Sequence, residues 1–234
     1  MKLSVAALNS FYGPAHILFD VALEVGTGEV VALLGRNGAG KSTTFRSIVG
    51  LVPQRRGTIT FEDRDISRLP THAIVRGGLG YVPEERRIFT DLTVDENLEV
   101  GRQPRRDGAP LWTREKLFAL FPNLAEMRNR PGGRMSGVEQ QMLTIARTLM
   151  GNPLAILLDE PSEGIAPIIV DQMIGMIAEL KRSGVAILVS EQNLPFAAAV
   201  ADRAYILEHG QIKFTDDIRS LIQNEEARRA YLEL

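Results

Sequence analysis

The feature that most constrains this chain is a glycine-rich loop, Gly35-Arg36-Asn37-Gly38-Ala39-Gly40-Lys41-Ser42. It has the spacing G-x-x-x-x-G-K-S/T, follows the apolar run Val30–Leu34 and precedes residues 43–49, which can open a helix. A strand, a glycine loop and a helix in this order bring backbone N–H groups and a helix N-terminus around one anion. The sequence therefore predicts binding of a nucleoside triphosphate, with Lys41 on the β- and γ-phosphates and Ser42 on Mg²⁺. The predicted nucleotide contacts here are Gly35, Asn37, Gly38, Ala39, Gly40, Lys41, Ser42 and Thr43.

Composition narrows the class of protein further. The 234 residues suffice for one large α/β domain, and 44% hydrophobic and 24% charged residues are ordinary for a globular protein. With 27 Lys and Arg against 29 Asp and Glu, the net charge of −2 gives no basic surplus, so no nucleic-acid partner is expected. The absence of cysteine excludes disulfides and thiol catalysis. No apolar run approaches the ~18 residues of a membrane helix, so any membrane role is expected to act through a partner.

Hydrophobic patterning predicts an α/β core with an antiparallel edge and an inserted helical lobe. Buried-strand runs lie at residues 30–34, 57–62, 78–82, 154–158, 185–189 and 204–207, and antiparallel strands are expected at 5–8 and 16–25. Residues 92–150 are mostly helical in pattern, and residues 168–182 carry apolar side chains at helical spacing. Charged amphipathic helices are expected from residue 216 to the end. One domain results, with residues 1–86 and 151–234 forming the core and 87–150 the helical lobe.

Two carboxylates end the apolar strand at residues 155–158. Asp159 and Glu160 are adjacent, so their side chains point in different directions from a strand and can do different work. Asp159 is predicted to hold the Mg²⁺ shell and Glu160 to polarise a water molecule beside the γ-phosphate.

A third motif, Met135-Ser136-Gly137-Val138-Glu139-Gln140-Gln141, lies between these two. It resembles the L-S-G-G-Q/E signature of ATP-binding cassette (ABC) ATPases, and the order of phosphate loop, helical insertion, signature and Asp-Glu strand is also that family's order. The resemblance implies a P-loop ATPase that forms a head-to-tail dimer. Ser136, Gly137, Val138 and Glu139 would then contact the γ-phosphate bound by a second ABC subunit.

Several positions depart from the family pattern. Val138 replaces the second signature glycine, and a β-branched residue is poor at positive φ. If that position needs glycine geometry, hydrolysis is slow and Val138→Gly accelerates it; if only the amide matters, the site functions. Glu84 stands where the family has a glutamine and remains a predicted Mg²⁺ contact together with Ser42 and Asp159. Gln192 takes the place of a switch histidine, and Ala166 stands where the dimer-contact loop, residues 162–167, commonly has aspartate.

These departures resemble one subfamily, the LivF-type ATPases of branched-chain amino acid importers and their urea and short-chain amide relatives. Tyr12, with Phe11 as the alternative, matches the aromatic residue that the family stacks on adenine. The segment Arg86-Arg87-Ile88-Phe89 matches the place where relatives dock a helix of the membrane subunit; a local packing turn is the alternative.

The resemblance implies ATP hydrolysis, with ATP and Mg²⁺ as cofactors and Glu160 and Gln192 as catalytic residues. It also implies transmembrane permease subunits and a second ABC ATPase as direct partners, with a solute-binding protein acting indirectly. The expected location is peripheral, on the cytoplasmic face of the inner membrane. A poorly hydrolysing regulatory ATP-binding protein is the alternative, because of Val138.

Overall fold

A six-stranded, mostly parallel sheet forms the centre of the computed structural model, which describes residues 2–165, 167–226 and 229. Its strand order is β10-β9-β3-β8-β7-β6, and only the β9–β10 pair is antiparallel. The strands are β3 (Val30–Leu34), β6 (Leu79–Val82), β7 (Ala155–Asp159), β8 (Ala186–Glu191), β9 (Arg203–Glu208) and β10 (Gln211–Asp217). Strands β3, β7 and β8 are buried along their whole length, as expected for a sheet covered on both faces.

The N-terminal part adds a smaller antiparallel sheet of order β2-β1-β4-β5. Its strands are β1 (Leu3–Tyr12), β2 (Ala15–Val25), β4 (Gln54–Phe61) and β5 (Arg64–Asp65). Side chains alternate along β3, so Val31 and Leu33 pack with this sheet, whereas Val30, Ala32 and Leu34 pack toward the helices on the other face. The core therefore has two layers, one on each side of the central sheet.

Helices cover the central sheet and form the inserted segment. They are α1 (Lys41–Ile48), α2 (Thr71–Arg76), α3 (Val94–Gly101), α4 (Arg114–Leu120), α5 (Pro122–Glu126), α6 (Gly137–Leu149), α7 (Pro167–Arg182), α8 (Leu194–Val200) and α9 (Ile218–Gln223). Helices α3 to α6 all lie between β6 and β7 in the chain and share buried side chains, including Leu98, Phe118 and Leu143. The predicted fold class, a P-loop α/β core with an antiparallel sheet and inserted helices, is confirmed.

The C-terminal expectation was wrong in part. Residues 216 and 217 end β10 and are not helical, because Gly210 turns the chain at φ 75° and the alternating segment Gln211–Asp217 then pairs with β9. The segment Ile218–Gln223 is helical, and so are the described residues 225, 226 and 229. The expectation for residues 227, 228 and 230–234 lies outside the described residues.

Candidate functional site

The phosphate loop is an open cradle of backbone N–H groups. Gly38 and Gly40 adopt φ of 80° and 112°, and a Cβ on Gly40 would lie 2.8 Å from Leu18 Cδ2, so glycine is required there. No hydrogen bond to the described part of the chain is made by the amides of Asn37, Gly38, Gly40, Lys41, Ser42 and Thr43. Free amides at the start of α1 form an anion site.

Lys41 is held at the floor of this cradle. It is 4% exposed, its Nζ donates to the carbonyls of Gly35 and Arg36 at 2.7 and 3.1 Å, and it forms an ion pair with Glu160 at 3.0 Å. A cavity of about 300 Å³ opens above it. Its lining residues are Ile17, Asn37, Gly38, Gly40, Lys41, Ser42, Thr43, Glu84, Glu160 and Glu163.

Asp159 is fully buried and receives three hydroxyl hydrogen bonds. Ser42 and Ser190 donate to its Oδ1 at 3.2 and 2.7 Å, and Tyr81 donates to its Oδ2 at 3.2 Å. Burial raises the pKa of the Asp159 carboxyl, and the three hydroxyl bonds oppose that rise. The sequence analysis did not identify Ser190 and Tyr81, which reach Asp159 from the neighbouring strands β8 and β6.

Glu160 has a constrained backbone that aims it at the cavity. Its φ is 47°, and its N–H donates to Ser190 Oγ at 3.0 Å. Gln192 Nε2 lies 2.5 Å from Asn37 Oδ1 and 3.5 Å from Glu160 Oε2. The structure thus brings Glu160, Gln192 and the phosphate loop together.

Glu84 also reaches this cavity, from the turn after β6. Partial burial raises the pKa of its carboxyl, and the charges of Glu163, Glu160, Asp159 and Glu85 add to the rise. Such a group is suited to a site that a cation enters. Hydroxyl and carboxylate oxygens from Ser42, Asp159 and Glu84 are the donors that Mg²⁺ prefers, usually with nucleotide phosphates completing the shell. Among the described residues, no group of three or more His, Asp or Glu side chains is arranged to hold a metal by itself.

The predicted adenine contact lies outside the cavity lining. Tyr12 ends β1, is 44% exposed and lies beside Arg46 of α1. The alternative, Phe11, stacks on His16 with ring centroids 4.2 Å apart and has the Arg56 guanidinium 5.8 Å from its ring centroid. Tyr12 is therefore the aromatic ring with an open face.

The signature residues form the start of α6 and do not line the cavity of their own chain. Ser136 caps the helix by accepting from the Glu139 N–H at 3.3 Å, and Glu139 Oε2 accepts from the Ser136 N–H at 2.7 Å. The N–H groups of Gly137 and Val138 have no hydrogen-bond partner in the described chain. A helix start with free amides can bind an anion, and this one lies outside the lining of the cavity described above.

The structure favours the second alternative for Val138, a position that does not need glycine geometry. Val138 lies in the first turn of α6, it is not among the residues with positive φ, and its side chain packs against the hydrophobic core. Its amide is as free as that of Gly137. The valine therefore fits an ordinary helical position, and glycine geometry is not needed there.

The dimer-contact loop begins buried and becomes exposed. Ser162 is 7% exposed and its N–H donates to Glu191 Oε1 at 3.0 Å, whereas Glu163 and Gly164 are exposed. The expectation for Ala166 lies outside the described residues.

A separate groove lies between β6 and α6. It has a volume of about 330 Å³ and includes Phe89, which is 47% exposed and has Arg147 5.1 Å from its ring centroid. The exposed side chains of Val75 and Val100 also line it. In the described residues, no helix has both the length and the apolar character needed to cross a bilayer.

Comparison with known proteins agrees with this geometry. Residues 18–163 match the ABC transporter family. The chain is 43% identical over 98% of its length to the high-affinity branched-chain amino acid transport ATP-binding protein BraG of Pseudomonas aeruginosa, covering 99% of that protein. It is 39% identical to the lipopolysaccharide export system ATP-binding protein LptB of Escherichia coli, over 98% of this chain and 96% of LptB.

Solved structures show the same fold. An ATP-binding subunit of an ABC transporter superposes with a TM-score of 0.83 at 27% identity, covering 99% of this chain and 96% of that one. The ADP conformation of another ABC transporter cassette superposes with a TM-score of 0.79 at 25% identity, covering 97% of each chain. This chain belongs to the ABC transporter family, as a nucleotide-binding ATPase subunit similar to the branched-chain amino acid type.

Proposed function

We propose that this chain powers the import of branched-chain or other small amino acids. The observation that carries the proposal is the match to BraG, which spans 98% of this chain and 99% of BraG. Two LivF-like positions support it. Glu84 lines the nucleotide cavity, and the Gln192 amide lies 3.5 Å from Glu160, which also lines it. A urea or short-chain amide importer is the alternative of the same class, and lipopolysaccharide export is the alternative that the LptB match raises.

ATP binding is assigned to the cavity beside the phosphate loop. The free amides of Asn37, Gly38 and residues 40–43 would surround the phosphates, and Lys41 would turn from Glu160 toward the β- and γ-phosphates. Tyr12 would stack on the adenine ring. Ser42, Asp159 and Glu84 would hold Mg²⁺, which when bound neutralises phosphate charge. The hydroxyl bonds from Ser190 and Tyr81 fix the Asp159 carboxylate for that role.

Hydrolysis is assigned to Glu160 with Gln192. Release of Lys41 to the phosphates would leave the Glu160 carboxylate free to accept a proton from an attacking water. Gln192 can donate a hydrogen bond to the γ-phosphate from its present place beside Asn37, but it cannot titrate near neutral pH. Its contribution is therefore placement and not proton transfer.

A second ABC subunit would complete each site. Gly137 and Val138 do not line the cavity of their own chain, and their amides, which have no partner among the described residues, would bind a γ-phosphate held by another subunit. ATP would thus favour the closed pair, and hydrolysis would release it.

The groove at Phe89 is proposed as the docking site for a permease subunit. Exposed apolar side chains beside Arg147 match the composition of interface cores. Docking there would keep the chain peripheral, on the cytoplasmic face of the membrane. A solute-binding protein would then act only through the permease.

Transport by reconstituted vesicles tests the proposal. The chain is combined with its genomically neighbouring permeases and binding protein, and uptake of radiolabelled leucine, urea and acetamide is measured with ATP inside. We expect ATP-dependent leucine uptake, and a fall of about 10²-fold or more in both uptake and hydrolysis with Glu160→Gln, which removes the base alone. Glu179→Gln, on the exposed end of α7, is the matched control. Uptake of urea or acetamide alone, or stimulation of hydrolysis only by lipopolysaccharide, would overturn the amino-acid assignment.

A further inference from the structure

Glu191 is a buried carboxylate that the steps above do not use. It ends β8 and is 2% exposed. Its Oε1 accepts from the Ser162 N–H at 3.0 Å and its Oε2 accepts from the Asn193 N–H at 3.3 Å. Its main-chain oxygen accepts from the Gly35 N–H at 3.3 Å. One residue therefore joins the phosphate loop, the loop after β7 and the loop after β8.

The loops after β7 and β8 carry groups with different proposed roles. Ser162 opens the loop that turns outward at Glu163 and Gly164, toward the proposed second subunit. Asn193 follows Gln192, whose amide contacts Asn37 and Glu160. The Glu191 side chain therefore lies between the loop at 162–164 and Gln192, and it bonds to Ser162 on one side and to Asn193 on the other.

We propose that Glu191 is a positioning residue that couples the loop at 162–165 to Gln192. Contact with a second subunit moves the Ser162 N–H, and the Glu191 carboxylate moves with it. The bond from the Asn193 N–H to this carboxylate then shifts Gln192, so that its amide is placed between Glu160 and the γ-phosphate. The coupling rests on the proposed function, because it needs Gln192 to act in hydrolysis.

The chemistry of the bonds explains why a carboxylate occupies this place. Two backbone N–H donors converge on it, and an ionised carboxylate accepts from both, whereas a glutamine amide accepts from one and turns a donor toward the other. Burial raises the pKa of the Glu191 carboxyl, the bonds from Ser162 and Asn193 oppose the rise, and the Glu160 charge adds to it. A buried carboxylate is costly unless it is bonded in this way.

Glu191→Gln is the first test, in the subunit assembled with its permeases. We expect turnover to fall about tenfold, while ATP affinity of the isolated subunit changes by less than about twofold because the cradle amides and Lys41 are untouched. Glu191→Asp keeps both acceptor oxygens and should recover part of the turnover. Glu208→Gln is the matched control, since Glu208 also ends a strand of the central sheet, β9, and its side chain makes no hydrogen bond or ion pair to the described residues.

A double-mutant cycle with Gln192→Ala separates coupling from simple stabilisation. If Glu191 acts through Gln192, the double variant is no slower than Gln192→Ala alone. Multiplying losses, or equal turnover of Glu191→Gln and the wild type, would overturn the coupling while leaving the catalytic assignment intact. Wild-type turnover in Gln192→Ala would instead remove Gln192 from catalysis, and the coupling with it. Thermal unfolding of each variant verifies that the compared proteins are folded.

Discussion

The phosphate loop and the signature both place free amides at a helix start, but they differ in the partners of their side chains. Lys41 and Ser42 are already bonded, to Glu160 and Asp159, and they line a cavity within their own chain. Among the described residues, the side chains of Ser136 and Glu139 bond to each other's backbone, and neither residue lines that cavity. The first region therefore forms a cavity within one chain, whereas the second has no part in that cavity.

Lys41→Ala, in the phosphate loop, should have the largest effect, and that effect is on ATP affinity. It removes a point charge from the phosphates and leaves the Glu160 carboxylate buried without its cation, so ATP affinity should fall by about 10²-fold or more. Calorimetric titration with Mg-ATP measures this. Lys181→Ala, which removes a partly exposed pair with Asp202 at 2.5 Å, should leave the affinity within about twofold. A loss below about threefold in Lys41→Ala would contradict its role at the phosphates.

The sequence was sufficient for the parts of the site that lie in continuous motifs. The phosphate loop, Asp159 and Glu160 follow from spacing between a buried strand and its loop, and the structure places them around one cavity. Ser190 and Tyr81 could not be assigned, because their approach to Asp159 depends on how three parallel strands align. In the observed register Ser190 is opposite Asp159, and Tyr81 is opposite Leu157. Parallel strands are joined by long crossovers and not by tight hairpins, so no turn in the sequence sets that register.

Val138 shows that a sequence motif can also suggest a backbone requirement that the structure does not have. A family motif suggested that the position needs glycine, but the motif does not record the dihedral angles. In the structure the residue is helical and half-buried against the core, so a β-branched side chain is accommodated and even packs.

Asp159→Asn tests whether the buried Asp159 charge destabilises the phosphate-loop region when no nucleotide is bound. The folded-state pKa of Asp159 is raised, so its stabilising contribution is present below the ordinary aspartate pKa and is lost as pH rises through the folded value. At pH 7 the nucleotide-free Asn variant should be more stable by roughly 1–2 kcal/mol, because a buried charge is removed and the serine hydroxyls can turn to donate or accept.

Thermal unfolding without nucleotide between pH 4 and 8 checks that expectation. The variant should lose less stability than the wild type as pH rises, and it should bind Mg-ATP more weakly. Asp91→Asn, at an exposed carboxylate, is the control and should leave the profile unchanged. A destabilised Asp159→Asn protein at pH 7 would mean that the three hydroxyl bonds outweigh the cost of burial.

The smallest effect is expected in the signature region, from Val138→Gly. Glycine is less favourable in a helix than valine, and the change also removes apolar contact with the core, so the free energy of unfolding should fall by about 1 kcal/mol. For a chain of this size that corresponds to roughly 2–4 °C in Tm. Turnover with the permeases present should be unchanged or lower, since the free amide of residue 138 is already available. Val138→Ala keeps a good helix former while removing the same contacts, so the difference between the two variants isolates the backbone effect. Faster hydrolysis and tighter ATP-driven dimerisation in Val138→Gly alone would show that valine does obstruct the phosphate and that the signature region is impaired.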